Sequence, residues 1–362
     1  MTVIKREDML DVLDSYQGEI TVATLGSHSA LQILKGAREE GFRTIAICEA
    51  GREEPYRRFR AADEILVLNK FRDILKDDFI ETLRKKKAVI VPHGSLIAYV
   101  GIDGIEELLR VPMVGNRSIL RWEADRSAER RWLLEAGIRM PGETKDPREI
   151  KGLSLVKFPG AKGGRGYFLA SSYEEFVEKS EKVRRKMEAR GEEMGEATIQ
   201  EYIPGVNMYL SYFYSPLKGE VEFFSIDRRY ESNIDGLTRI PAADQTRALI
   251  EPSYVVVGNI PIVARESLLP RILEMGDNIV KVSKKIAPPG MLGPFCLETM
   301  VDHNLEFIAF EISARIVAGT NPYMDGSPYS VLLHGPGMSM GRRIAREIRN
   351  ALDQGREGEL FT

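Results

Sequence analysis

Four short apolar runs recur within residues 19–94, and the segments between them have helical spacing. The runs are "EITVATLG" (19–26), "TIAICEA" (44–50), "EILVLN" (64–69) and "KAVIVPHG" (87–94), all rich in β-branched residues. In "SALQILKGAREEG" (29–41), Leu31, Leu34 and Ala37 fall on one helical face, and Gly41 marks the stop. "RDILKDDFIETLRKKK" (72–87) reads as a further helix. Such β-α-β alternation confines this part of the chain to a mostly parallel sheet covered on both faces. Ligands of such sheets collect at the carboxyl ends of the strands. Two polar exits lie there, "GSHSA" after the first strand and "PHGSL" after the fourth.

The pattern then changes. A helix with Trp122 and Trp132 (118–137) leads into "LSLVKFPGAKGGRGYFLASS" (153–172), which reads strand, glycine loop, strand. A long charged helix (172–191) follows, then "ATIQEYIPGVN" (197–207), a strand and turn. "MYLSYFYSP", "EVEFFSIDRRY" and "SYVVVGN" have the look of antiparallel strands. A helix over 265–286, the paired strands "FCLETMVDHN" and "LEFIAFEIS", and a C-terminal helix complete the chain. A length of 362 residues exceeds one ordinary core. The expected division is an N-terminal parallel α/β unit (1–120), a small unit carrying the glycine loop (121–206) and a C-terminal unit (207–362), mixing α/β and α+β classes.

Composition narrows the function. Hydrophobic residues make up 43% and charged residues 29%, a soluble globular profile. The net charge of −3 argues against a general nucleic-acid binder, which carries a basic excess. Cys48 and Cys296 each sit in an apolar run without a CxxC partner, so buried reduced thiols are expected and a zinc site is not. The N-terminal segment lacks an apolar signal region, and no run approaches the ~20 residues a membrane span needs. The expected setting is cytoplasmic.

Three motifs carry chemistry. "PGAKGGRG" (159–166) has four glycines in eight residues, and glycine lets backbone N–H groups approach a polyphosphate closely. Lys157 before it and Lys162 within it can reach phosphate oxygens. It is neither a Walker A loop nor a dinucleotide fingerprint, because a strand follows it; a glycine-rich hairpin without a ligand is the plainer alternative. Glu298 in "CLETM" and Glu311 in "FEISAR" lie on strands joined by a short turn. Antiparallel pairing can place both on one face, where a hard divalent cation relieves their repulsion. Two exposed sheet carboxylates would be the plainer reading. "QEYIPG" (200–205) can offer backbone groups to an adenine edge, with Glu201 accepting from its amino group, or be an ordinary strand exit. His28 and His93 lie at strand exits beside Ser27, Ser29 and Ser95, a setting for an anion.

The ordered set, parallel unit, strand lysine and glycine loop, "QEYIPG", then "LET…FEISAR", resembles the ATP-grasp superfamily over nearly the whole chain. "GSHSALQILKGAREEGF", "VPHGSLIAYVG", "FCLETM" and "FEISARIVAGTN" look more closely like the archaeal formate-dependent synthetases of purine biosynthesis. These convert 5-aminoimidazole-4-carboxamide ribonucleotide (AICAR) to its formylated product, FAICAR, with ATP and formate. The resemblance implies that Glu298 and Glu311 hold Mg²⁺ or Mn²⁺. It implies ATP binding by Lys157, Lys162, Gly163, Gly164, Gly166, Glu201, Tyr202, Ile203, Asp227 and Tyr230. It implies AICAR contacts from His28, Ser95 and Asn259, and homo-oligomeric association. Arg315, just past Glu311, would stabilise charge on the transferring γ-phosphate. Ser313 stands where many ATP-grasp members carry a metal-binding Asn, and Asn207 where many carry a ribose-binding Glu. Other acid–amine pairs, or a nucleotide sensor that has lost catalysis, are the alternatives.

Overall fold

A computed structural model of the chain describes residues 3–158, 167–189, 195–248, 250 and 253–362. β1 (Thr21–Leu25), β2 (Arg43–Glu49), β3 (Glu64–Leu68) and β4 (Ala88–Ile90) form a parallel sheet in the order β3-β2-β1-β4. That order sets β1 beside β4, so the two polar strand exits are neighbours. The helix Ala30–Glu39 returns the chain from β1 to β2, and Gly41 takes the positive φ of +78° that ends it. The run 72–87 divides into a 3₁₀ turn, Phe71–Leu75, and a helix, Asp77–Lys85. Asp77 and Asp78 favour a fresh helix N-terminus at that point.

β5 (Glu143–Thr144), β6 (Ser154–Lys157), β7 (Tyr167–Ala170) and β8 (Thr198–Glu201) make a small antiparallel sheet, order β5-β8-β6-β7. It has its own core of Val156, Phe158, Ala170 and Ile199. The charged helix Tyr173–Glu188, capped by Ser172, covers it.

β9 (Val206–Ser215), β10 (Glu220–Asn233), β11 (Tyr254–Ile262), β12 (Gly293–Val301) and β13 (Phe307–Ser313) form an antiparallel sheet, order β11-β10-β9-β12-β13. The helix Leu269–Ile286 packs against it, and the Tyr212 hydroxyl donates to Ile272 O at 2.9 Å. The single helix expected over 118–137 is two, Arg117–Ala124 and Arg126–Glu135. Asp125 breaks it, because its carboxylate accepts the N–H groups of Ser127 and Ala128, both at 2.9 Å, and starts a new helix. Both helices run along the β13 edge. Glu129 accepts the Ile312 N–H at 2.7 Å and Glu123 accepts the Ala314 N–H at 2.8 Å. Two side chains thus satisfy edge groups that a further strand would otherwise take.

The C-terminal helix Met340–Gln354 crosses Ala30–Glu39 with backbone against backbone. A Cβ on Gly36 would lie 2.1 Å from Arg342 N, and one on Gly341 would lie 2.1 Å from Gln32 O. Gly341→Ala is therefore expected to lower stability by about 1–3 kcal/mol or more. A thermal or urea melt checks this; an unchanged midpoint would mean the helices part without cost.

Candidate active site

Strand register assembles the centre of the site. Glu311 on β13 is aligned with Glu298 on β12, Glu298 with Tyr209 on β9, and Tyr209 with Asp227 on β10. Residues aligned across neighbouring strands share a face, so the expected carboxylate pair is present and Asp227 extends its row. Glu298, Tyr209 and Asp227 are buried, whereas the Glu311 side chain is 33% exposed. Each paired carboxylate meets a guanidinium. Arg229 donates to Oε1 of Glu298 and lies over the Tyr209 ring, 4.4 Å from its centroid. Arg126 donates to Glu311 Oε2 and to Glu129 Oε2, each at 3.2 Å.

Burial pushes the Glu298 carboxyl above the usual carboxylate range; Arg229 opposes the shift and Glu311 reinforces it. Glu129 is pushed up to about 8 by burial and by Glu311, against the Ile312 amide and Arg126. Among the described residues, Glu298 Oε2 is buried without a hydrogen-bond partner. Two aligned carboxylates, one with an unsatisfied buried oxygen, fit a hard cation such as Mg²⁺ or Mn²⁺. No cluster of three or more His, Cys, Asp or Glu that could hold a metal ion occurs among the described residues. Ser313 lies one step along, aligned with Cys296 rather than with the glutamates.

Asp227 accepts the Asn259 Nδ2–H at Oδ2, 2.9 Å away, while its Oδ1 has no partner among the described residues. Burial raises it to about 6, with Asn259 and Arg229 opposing. The folded state thus holds this proton more tightly than the unfolded chain. The buried charge costs stability above the folded value and costs nothing below the unfolded one. The shift corresponds to about 3 kcal/mol at most. Asp227→Asn is expected to stabilise the protein near pH 8 and to be close to neutral near pH 4. Urea unfolding at the two pH values checks this; an equal effect at both would contradict it.

The neighbouring strand exits build the second wall. His28 has a φ of +54° and its Nδ1 lies 2.7 Å from Ser29 Oγ. Ser95 Oγ donates to Ser27 Oγ at 3.0 Å. The His28 and His93 rings stack with centroids 5.2 Å apart. His93 Nε2 lies 2.9 Å from Leu25 O and its Nδ1 accepts the Ser95 N–H at 3.2 Å. Those bonds require the neutral tautomer protonated at Nε2, and burial lowers His93 to about 4. His93 is a scaffold for the exit. His28, by contrast, keeps exposed surface, although surrounding protein holds its pKa well below the usual range. Burial is the chief cause, followed by His93, Arg315 and Arg229.

Arg315 closes the gap between the two walls. Its Nη2 pairs with Glu123 Oε1 at 2.9 Å and its Nε has no partner among the described residues. A Cβ on Gly94 would lie 3.0 Å from His28 Nε2 and 3.3 Å from the Arg315 guanidinium, so glycine keeps this junction open. From the small sheet, Lys157 comes within electrostatic reach of Arg126, Glu311 and Glu129, and its Nζ lies 5.8 Å from the Tyr167 ring centroid. Its pKa is lowered by burial and by Arg126, against the attraction of Glu311, Glu143 and Glu129.

Lys162, Gly163, Gly164 and Gly166 lie outside the described residues. The Glu201 N–H donates to Gly142 O at 2.8 Å and the Tyr202 N–H to Leu153 O at 3.0 Å. Neither donor is available to an adenine edge, because the small sheet uses both. Glu201 itself accepts the Gly142 N–H at 3.2 Å. Tyr202 is exposed and Ile203 buried. Strand alternation puts Tyr230 on the face opposite Asp227 and Arg229. Four site residues escaped the sequence reading: Arg229, Arg126, Glu123 and Glu129. The available signals were "IDRRY", charges inside an apolar strand, and "EADRSAE", a helix restart carrying two carboxylates.

Two family models match the chain. One, described as a domain of unknown function (DUF1297), covers residues 175–362; the other, described as a protein of unknown function (DUF1246), covers 22–144. The chain is 54% identical over 363 residues, all of both proteins, to the 5-formaminoimidazole-4-carboxamide-1-(beta)-D-ribofuranosyl 5'-monophosphate synthetase of Methanothermobacter thermautotrophicus. The chain belongs to this synthetase family. The crystal structure of an IMP biosynthesis protein, PurP, from Thermococcus kodakaraensis is 33% identical with a TM-score of 0.74, over 94% of this chain and 100% of that one. An ADP complex of purK, an N5-carboxyaminoimidazole ribonucleotide synthetase, aligns with a TM-score of 0.65 over 92% of this chain and 77% of that one. At 14% identity it speaks for the fold alone. The ATP-grasp fold implied by the sequence motifs is the fold observed. No helix among the described residues of this synthetase is long and apolar enough to cross a membrane.

Proposed function

We propose that this synthetase formylates AICAR to FAICAR with ATP and formate, releasing ADP and phosphate, as a carbon–nitrogen ligase of cytoplasmic purine (IMP) biosynthesis. The observation that carries the reading is the convergence of three elements: Glu298 and Glu311 stand in register, Lys157 of the small sheet is within electrostatic reach of Glu311, and Arg315, which lies beside His28, acts on Glu298.

Formate is a poor acyl donor because its carboxylate has no leaving group. Attack of a formate oxygen on the γ-phosphorus of ATP expels ADP and gives formyl phosphate, a mixed anhydride. The AICAR amine then attacks the formyl carbon, phosphate departs with the oxygen that came from formate, and the amine loses a proton. No side-chain nucleophile is required. The protein aligns three ligands, neutralises charge and excludes water. A bound Mg²⁺ or Mn²⁺, held by Glu298 and Glu311, would neutralise phosphate charge. Lys157, the glycine loop with Lys162, Gly163, Gly164 and Gly166, and the Glu201–Ile203 segment bind ATP, now through carbonyls rather than the Glu201 and Tyr202 amides. Asp227 adds an ATP contact through its unpartnered Oδ1 while its Oδ2 fixes Asn259, which with His28 and Ser95 contacts AICAR. Residues 1–120, 121–206 and 207–362 act as the substrate, lid and catalytic units of a homo-oligomer.

Phosphate release tests this, with ATP, Mg²⁺, formate and AICAR omitted one at a time and the product weighed by mass spectrometry. Release that needs all four, with one formyl group gained by AICAR, is expected. Release independent of formate, or full activity with a different acid alone, would overturn the assignment.

A further inference from the structure

Arg229 occupies the interval between the two walls of the cleft. It holds Oε1 of Glu298, lies over Tyr209, and acts electrostatically on both Glu298 and His28. An acid that first takes a phosphoryl group and then gives its acyl carbon to an amine must sit in that interval. The Arg229 side chain is 32% exposed, whereas that of Glu298 is 2% exposed. The arginine is therefore the partner that faces incoming solute. Its cross-strand neighbour is Asn259, fixed by Asp227, which adds an amide to the same border.

Glu298 uses Oε1 on Arg229, and its Oε2 is buried and unpartnered among the described residues. A divalent cation held at the glutamate pair would compete with Arg229 for the Glu298 carboxylate. Arg229 Nη2, which donates to Glu298 Oε1, cannot at the same time supply its half of a two-bond fork to a second carboxylate. We infer that Arg229 is the receptor for the acid substrate, a small monocarboxylate, and that Glu298 masks it until a divalent cation draws that carboxylate away. Metal then precedes acid in binding, and the acid is not admitted to a site that cannot activate it. The inference rests on the functional reading above for the identity of the acid, but not for the masking.

The test compares full-length wild type, Arg229→Gln and Arg229→Lys. Mn²⁺ binding is followed by electron paramagnetic resonance without nucleotide, and half-saturating formate, ATP and AICAR are measured in turnover. Arg229→Gln removes the competitor for Glu298, so Mn²⁺ should bind about tenfold tighter, the order of one charge-assisted hydrogen bond. The same variant should need at least about tenfold more formate, with ATP and AICAR requirements unchanged. Arg229→Lys keeps the charge but loses the planar fork, so it should hold Mn²⁺ affinity near wild type and still lose formate affinity. A merely structural arginine would weaken every ligand together. Unchanged or weaker Mn²⁺ binding in Arg229→Gln would overturn the masking, and an unchanged formate requirement in both variants would overturn the receptor. Should wild type release no phosphate with formate, the functional reading falls, while the Mn²⁺ comparison still decides the masking.

Discussion

Glu298→Gln is expected to reduce formylation turnover by about 10³-fold or more, because it removes a carboxylate that would hold the cation offsetting phosphate charge. The loss should not come from unfolding. Gln fills the same volume, relieves the repulsion with Glu311, and leaves the β9–β12–β13 register intact. Burial already holds this carboxyl above its usual range, so the neutral amide suits its surroundings. Steady-state rates and a thermal melt of the same preparation separate the effects. Retained turnover would remove Glu298, and with it the proposed metal pair, from the chemistry.

Arg315→Gln should carry the second largest loss, about 10²–10³-fold in turnover, the range for removing one fixed donor to developing charge. Its guanidinium lies beside His28 at the opening that Gly94 preserves, and its Nε is unpartnered among the described residues, so a donor stands ready for a ligand. Glu123 also receives the Ala314 amide, so the strand exit keeps an anchor when the guanidinium is gone. The loss should therefore fall on the rate at saturating substrates rather than on folding. An equal loss of soluble protein and of activity, with the rate per folded molecule unchanged, would assign Arg315 a structural role instead.

Much of this site was legible because strands report their own geometry. The short "DHN" turn makes β12 and β13 a hairpin, but a bulge at Glu298/Thr299, which no period shows, is what sets Glu311 rather than Phe310 opposite Glu298; β-α-β alternation brings "GSHSA" and "PHGSL" to the carboxyl end of one sheet. Asp125 hid a helix break inside a helical pattern, and only its cap bonds show that Glu123 and Glu129 turn toward β13. Arg126 and Arg229 were harder to find, because a guanidinium on a long side chain reaches a carboxylate far away in sequence. No local periodicity encodes that pairing. The adenine expectation at "QEYIPG" failed in part for a related reason: the Glu201 amide is taken by Gly142, 59 positions earlier.

In the proposed reaction a formate oxygen becomes a phosphate oxygen. Formate labelled with ¹⁸O, supplied with ATP, Mg²⁺ and AICAR, tests it directly by mass analysis of the released phosphate. Transfer of one labelled oxygen to each phosphate, with the other retained in the formyl group of the product, is the predicted result. Unlabelled phosphate released alongside formylated product would contradict attack of formate on the γ-phosphate, and with it the roles given to this cleft.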